Sequence, residues 1–88
     1  MTNISIFGLE DCDTCIELRE ALDVLPGVGV AHYQVEEDLD AKVEMVFNDL
    51  FETPAILVEV DGVVMYKEWG IEDVAKTVSN VKLGLKCE

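Results

Sequence analysis

The chain has 88 residues, half of them hydrophobic, and its 19 acidic and six basic residues give a formal net charge of −13. This length and composition predict one globular domain and exclude an intrinsically disordered chain. The negative charge argues against binding to nucleic acid or to anionic lipid, both of which need a basic surface. No apolar run is long enough to span a membrane and the first residues are unlike a signal peptide, so we expect a cytoplasmic protein.

The acidity itself has three explanations that the sequence leaves open. It is complementary to a basic docking surface on a partner protein. It also suits solubility in a salty cytoplasm, and it is equally compatible with a surface selected for neither.

The first predicted strand covers residues 3–8, and the first predicted helix covers 12–25. Cys12 and Cys15 lie at the start of this helix, where unpaired N–H groups and the helix dipole stabilise a thiolate. A C-x-x-C pair beside a βαβ pattern favours a redox dithiol, with Cys12 as exposed nucleophile and Cys15 as resolving thiol. Half of a zinc site and two incidental cysteines are the alternatives, although a structural zinc site usually needs four ligands.

The second predicted strand, 30–36, alternates apolar and polar residues, which is typical of an edge strand with one face in water. His32 falls on the polar face, so we expect an exposed histidine and not a catalytic base. A second helix is predicted at about 39–51, after a cap at Asp38. Its predicted apolar face consists of Leu39, Val43, Val46, Phe47 and Leu50, with Met45 either extending that face or exposed.

Thr53-Pro54 ends the second helix, and the apolar run 55–60 predicts a central strand. Asp61-Gly62 predicts a two-residue hairpin turn, and residues 63–67 form the returning strand. The last predicted helix covers 71–81.

We expect residues 82–88 to be a loose tail in which Cys87 is inert. A third redox thiol and a thiol for dimerisation are the alternatives for Cys87. The element order β-α-β-α-β-β-α predicts a single α/β domain over 1–88. Its four-stranded mixed sheet has a parallel first pair of strands, and three helices cover its two faces.

The element order and the segment Cys12-Asp13-Thr14-Cys15 resemble the thioredoxin/glutaredoxin superfamily over residues 3–81. Thr53-Pro54 adds to the resemblance, because the equivalent proline of the superfamily is cis and faces the redox cysteines. The resemblance implies a thioredoxin-like fold and thiol–disulfide exchange with no metal or organic cofactor beyond the Cys12–Cys15 disulfide. It also implies that Thr53, Pro54 and Gly70 bind the substrate.

The chain has the size of a glutaredoxin, whereas its C-terminal half is more similar to thioredoxins. Asp13-Thr14 replaces the usual Gly-Pro or Pro-Tyr dipeptide, and Asp11 stands where thioredoxins place Trp. Asp11, Asp13 and Thr14 therefore tune the site. The carboxylates of Glu10, Asp11 and Asp13 oppose a thiolate at Cys12 and repel the anionic tripeptide glutathione.

We therefore expect a protein disulfide reductase, or electron carrier, that works by a dithiol mechanism in cell redox homeostasis. Its expected partners are a disulfide-containing protein and a separate reductase. If the acidity serves docking, the disulfide-containing protein has a basic docking surface. We expect the chain to be a monomer. The alternatives are a redox-inactive or metal-binding interaction module with the same fold, and a glutathione-dependent glutaredoxin.

Overall fold

The structure is a computed structural model that describes residues 2–86. Its strands and helices follow the predicted order β-α-β-α-β-β-α. The strands are Thr2–Gly8 (β1), Val28–Gln34 (β2), Ala55–Val60 (β3) and Val63–Trp69 (β4). The helices are Asp13–Asp23 (α1), Leu39–Phe47 (α2) and Val74–Lys86 (α3). Within the described range, no helix is both long enough and apolar enough to cross a membrane.

The four strands form one mixed sheet in the order β2-β1-β3-β4. β1 and β2 are parallel because α1 crosses between them, and β3 is antiparallel to both β1 and β4. Asp61 and Gly62 join β3 to β4 with left-handed φ angles of 51° and 83°, as the hairpin prediction required. The predicted mixed sheet is confirmed.

The helices divide between the two faces of the sheet, and each face has its own core. α1 and α3 cover one face, and α2 covers the other. The core under α1 and α3 contains Ile4, Ile6, Cys15, Leu18, Leu22, Ile56, Val58, Ile71 and Val81. The core under α2 contains Phe7, Val35, Ala41, Met45, Leu50, Ala55 and Leu57.

The predicted buried face of α2 is wrong. Ala41 and Met45 face the sheet, whereas four of the predicted core residues lie on the opposite side of the helix and are 60–85% exposed. These four are Leu39, Val43, Val46 and Phe47. The flanking chain decides the rotation of α2, because Val35 before it and Leu50 after it are both buried in the core. The helix also ends at Phe47, so Leu50 is buried without belonging to a helical stripe.

His32 is not the exposed edge residue that the alternating pattern predicted. β2 is an edge strand, but α1 lies over the face that carries Val28, Val30 and His32, so that face is not fully wet. His32 is half-buried, and its Nε2 atom is buried with no hydrogen-bond partner within residues 2–86. Burial, and secondly the charge of Arg19, lower the pKa of His32 below its ordinary value.

α3 starts later and continues further than predicted. It spans Val74–Lys86 in place of 71–81, and Leu85 packs against the core. The expectation of a loose tail is therefore corrected for residues 82–86, because the apolar stripe of the helix continues to Leu85. Cys87 lies outside the described residues.

A polar network joins α3 to β4 on the same face. Thr77 is fully buried, and its hydroxyl donates to the carboxylate of Glu68 at 3.1 Å and 3.2 Å. The hydroxyl of Tyr66 donates to the same carboxylate, and the side-chain amide of Asn80 donates to Tyr66 at 3.4 Å. Burial and the bond to Glu68 raise the pKa of Tyr66 above its ordinary value.

Candidate functional site

The C-x-x-C motif lies where β1 ends and α1 begins. Cys12 is the N-cap of α1, with extended backbone, and its Sγ accepts a hydrogen bond from the Cys15 N–H at 3.1 Å. The two cysteines form a disulfide with a Cα–Cα distance of 5.2 Å. Cys12 is half-buried and Cys15 is completely buried. Cys12 is therefore more accessible than Cys15, although it is not as exposed as predicted.

Gly8, the last residue of β1, makes room for both sulfurs. A Cβ built on Gly8 would collide with the Cys15 Sγ and would lie 3.3 Å from the Cys12 Sγ. The disulfide thus rests directly on the β1 backbone. The signal in the sequence for this close approach of sulfur to the backbone is a glycine shortly before C-x-x-C, to which no role in the site had been assigned.

The Thr53–Pro54 bond is cis, as the resemblance implied. β1 and β3 pair with Phe7 opposite Ala55, so the next position along the strands brings Pro54 level with Gly8. The cis-proline therefore lies at the same end of the sheet as the disulfide.

Gly70 reaches this end of the sheet from β4. The N–H of the following residue, Ile71, donates to the carbonyl of Pro54 at 3.1 Å. Gly70 has a φ of 63°, and a Cβ on it would lie 2.9 Å from the Glu52 carboxylate. Thr53, Pro54 and Gly70 are thus adjacent to one another, and Glu52 is a neighbour that sequence analysis missed.

Carboxylates surround the N-terminus of α1. Asp11 and Asp13 flank Cys12 in sequence and are both exposed, while Thr14 is half-buried. The N–H of Glu10 donates to a carboxylate oxygen of Glu36 at 3.0 Å. Glu36 therefore also lies beside the loop that precedes α1. Acidic side chains therefore lie in and beside the loop that leads into α1.

Two aromatic rings lie beside the cis-proline segment. Phe51 and Trp69 pack edge to face, with ring centroids 5.3 Å apart, and both rings remain exposed. The contact between Trp69 and Phe51 was not foreseen, because Phe51 was assigned to the end of the second predicted helix.

The described part of the chain offers no ready metal site. Within residues 2–86, no three His, Cys, Asp or Glu side chains are grouped so as to hold a metal ion. Residues 2–86 therefore provide no set of ligands for the zinc site that was considered as an alternative.

Comparison with known proteins gave matches among solved structures alone. No family model and no curated protein matches the chain. Thioredoxin O2 from Arabidopsis thaliana, in the oxidised state, superposes with a TM-score of 0.72 and 15% identity over 94% of this chain and 74% of that one. A mutant thioredoxin from Halobacterium salinarum gives a TM-score of 0.68 and 15% identity over 93% and 73%.

A mutant of a thioredoxin-like protein closer in length to this chain gives a TM-score of 0.64 and 22% identity. That alignment covers 93% of this chain and 97% of the other. Identities this low establish the fold and nothing further. The topology, the disulfide between Cys12 and Cys15 and these superpositions lead to one conclusion. The chain is a small thioredoxin-fold protein with a disulfide between the two cysteines of its C-x-x-C motif.

Proposed function

We propose that this protein is a thiol–disulfide oxidoreductase that reduces disulfides in other proteins through Cys12 and Cys15. The observation that carries the proposal is the unequal exposure of the two cysteines at a helix N-terminus. Cys15 has no exposed surface, so an incoming disulfide can reach only Cys12. An accessible nucleophile with a buried neighbour three residues away is the arrangement that dithiol exchange requires.

The reaction starts from the reduced protein. The Cys12 thiolate attacks one sulfur of the partner's disulfide, that S–S bond breaks, and the departing partner thiolate takes a proton from water. Cys15 then loses its proton to water and attacks the Cys12 sulfur of the mixed disulfide. The second partner sulfur leaves as a thiolate and takes a proton from water, and two electrons have passed from the dithiol to the partner. A separate reductase returns the Cys12–Cys15 disulfide to the dithiol.

The surrounding residues have proposed supporting roles. The backbone of Thr53, next to the cis-proline Pro54, aligns an extended segment of the partner, and Gly70 lies beside it. The carboxylates of Asp11 and Asp13 disfavour the thiolate and anionic substrates, and they favour a partner with basic residues near its disulfide. Glutathione is consequently expected to be a poor substrate. The cytoplasmic location and the monomeric state stay predictions.

A redox titration of the purified protein tests the proposal, with mass spectrometry counting the alkylated cysteines at each potential. The expected result is one two-electron transition that links Cys12 and Cys15 and leaves Cys87 alkylated throughout. In a coupled assay with a protein disulfide and a dithiol reductant, Cys12→Ser should abolish turnover.

The runner-up, a redox-inactive interaction module, makes the opposite prediction. If no Cys12–Cys15 disulfide forms at any accessible potential, the exchange mechanism fails. An unchanged biological activity in Cys12→Ser would then favour the interaction module.

A further inference from the structure

The exposed side of α2 is the largest departure from the expected packing. Leu39, Val43, Val46 and Phe47 have the spacing of a buried stripe, yet they face away from the sheet. Single exposed apolar residues are ordinary on protein surfaces, whereas a contiguous apolar stripe marks an interaction site. This stripe lies on the sheet face opposite α1, so it is separate from the Cys12–Cys15 site.

The stripe borders a groove between α2 and the β3–β4 hairpin, which we call the α2–hairpin groove. Its volume is about 410 Å³, and its apolar lining comprises Val43, Phe47 and Val64. Val64 is also exposed, so both walls of the groove present apolar surface to solvent. A groove with one helical wall and one strand wall accepts the apolar face of an amphipathic helix.

Three carboxylates line the same groove. They belong to Asp40 and Glu44 on α2 and to Glu59 on β3. Glu44 and Glu59 are half-buried, and within residues 2–86 none of the three carboxylates has a hydrogen-bond or ion-pair partner. Lys42 lies beside Val43 and Val46 on the other flank of the helix and is not among the groove residues. The groove therefore combines an apolar lining with uncompensated negative charge.

The apolar lining and the negative charge together distinguish between two occupants of the groove, a second copy of the chain and a helix of another protein. A second copy of the chain in a twofold interface would bring the same carboxylates of both copies together, and each copy carries a formal charge of −13. Like charges brought together at an interface cost free energy, so the groove disfavours self-association. A helix with apolar residues on one face and Lys or Arg beside them buries the stripe and pairs the carboxylates.

We propose that the α2–hairpin groove binds a basic amphipathic helix of a partner protein. The groove supplies apolar contact through Val43 and Phe47 and charge pairing through Glu44 and Glu59. Because the groove and the disulfide lie on opposite faces of the sheet, the oxidised and reduced forms bind such a helix equally.

A fluorescently labelled peptide of about 15 residues, patterned from Leu and Lys as an amphipathic helix, is the probe. Fluorescence anisotropy measures its affinity for the full chain. Two comparison peptides carry Glu in place of Lys, or the same Leu and Lys in a scrambled, non-amphipathic order. The proposal expects binding of the amphipathic Leu/Lys peptide, at least about tenfold weaker binding of both others, and loss of affinity at high salt.

Matched variants locate the site. Val43→Ser/Phe47→Ser should weaken binding of the Leu/Lys peptide at least about tenfold, because two anchoring side chains are lost. Val24→Ser/Leu83→Ser removes two similarly exposed side chains on the α1 and α3 side and should leave the affinity within about twofold. Glu44→Gln/Glu59→Gln keeps the apolar lining and should reduce both affinity and salt dependence. Circular dichroism confirms that each variant is folded.

Three results overturn the proposal. One is equal weakening by the two Ser pairs, which would show that the peptide binds the acidic surface without regard to the groove. Another is no binding of the Leu/Lys peptide to the unmodified chain. The last is a dimer in sedimentation velocity that Val43→Ser/Phe47→Ser dissociates, since a second copy would then be the occupant.

Discussion

The Cys15 Sγ lies so close to the backbone of Gly8 that a Cβ on the glycine would collide with it. The two residues belong to different elements, the end of β1 and the first turn of α1. Their contact fixes how closely α1 approaches the sheet at its N-terminus. It therefore links the packing of the core to the position of the disulfide.

Gly8→Ala should destabilise the oxidised protein by about 1–3 kcal/mol, because the added methyl group overpacks a site that has no free volume. The loss should be smaller in the reduced protein, where the Cys15 Sγ is not bonded to Cys12. Urea unfolding of both redox forms measures the difference.

Gly29→Ala in β2 is the matched control. A Cβ there would lie 3.4 Å from the Asn3 side chain, an ordinary contact, so the stability should change by less than about 0.5 kcal/mol. Equal losses in the two glycine variants would contradict a special role for Gly8.

Asp11→Asn and Asp13→Asn should each increase the rate at which iodoacetamide alkylates Cys12 in the reduced protein. Removal of a negative charge beside the sulfur stabilises the thiolate. The alkylation rate at low salt should therefore increase by about two- to fivefold. Quenched alkylation followed by mass spectrometry gives the rate at each salt concentration.

The effect should diminish as salt screens the exposed charges. Asp23→Asn, at the last residue of α1, removes the same charge far from Cys12 and should leave the rate unchanged. If Asp23→Asn accelerates alkylation as much as Asp13→Asn does, the rate reflects net charge and not local position.

Stability should fall as the pH drops below the ordinary histidine pKa of 6.5, because the pKa of His32 is lowered in the folded chain. Between the two pKa values the unfolded chain binds a proton that the folded chain does not, so acid favours unfolding. Above 6.5 both states are neutral, and the contribution of His32 is fully present. The urea midpoint of the protein should therefore fall on acidification relative to that of His32→Leu, which lacks the titrating group.

His32 is the single histidine of the chain, so its ring signals in NMR follow the titration directly. A midpoint at or above 6.5 would contradict the prediction. Arg19→Gln should move the midpoint upward, since the Arg19 charge contributes to the lowering.

Thr77→Val should destabilise the chain by about 1–2 kcal/mol without changing the shape of the core. The substitution removes a buried donor and leaves the Glu68 carboxylate with fewer hydrogen bonds. Ser79→Ala, at an exposed position of the same helix, should change stability by less than about 0.5 kcal/mol. Similar losses in the two variants would indicate a general effect on α3 and would count against the Thr77–Glu68 contact.

The sequence by itself determined the order of the elements, the parallel first pair of strands, the final hairpin and the place of the cysteines. Each of these depends on local chemistry: the apolar periodicity of the segments, the cap at Asp38 and the hairpin turn at Asp61-Gly62. A helix between the first two strands also makes them parallel, whereas the antiparallel pairing of β1 with β3 was seen only in the structure. The C-x-x-C motif at the start of α1 was predictable for the same reason.

The tertiary structure decided which side of α2 is buried and what surrounds His32. Periodicity finds an apolar stripe but does not say whether the chain turns that stripe toward the sheet. The buried Val35 and Leu50 fixed the rotation of α2. The partial burial of His32 depends on α1, which covers one face of the edge strand β2.

The contacts of Gly8 with Cys15, and of Gly70 with Glu52, likewise appear only after folding. Each joins residues from different elements, and no spacing along the chain encodes how closely two packed elements approach. Local propensities therefore specified what the elements are, and packing specified which of their faces meet.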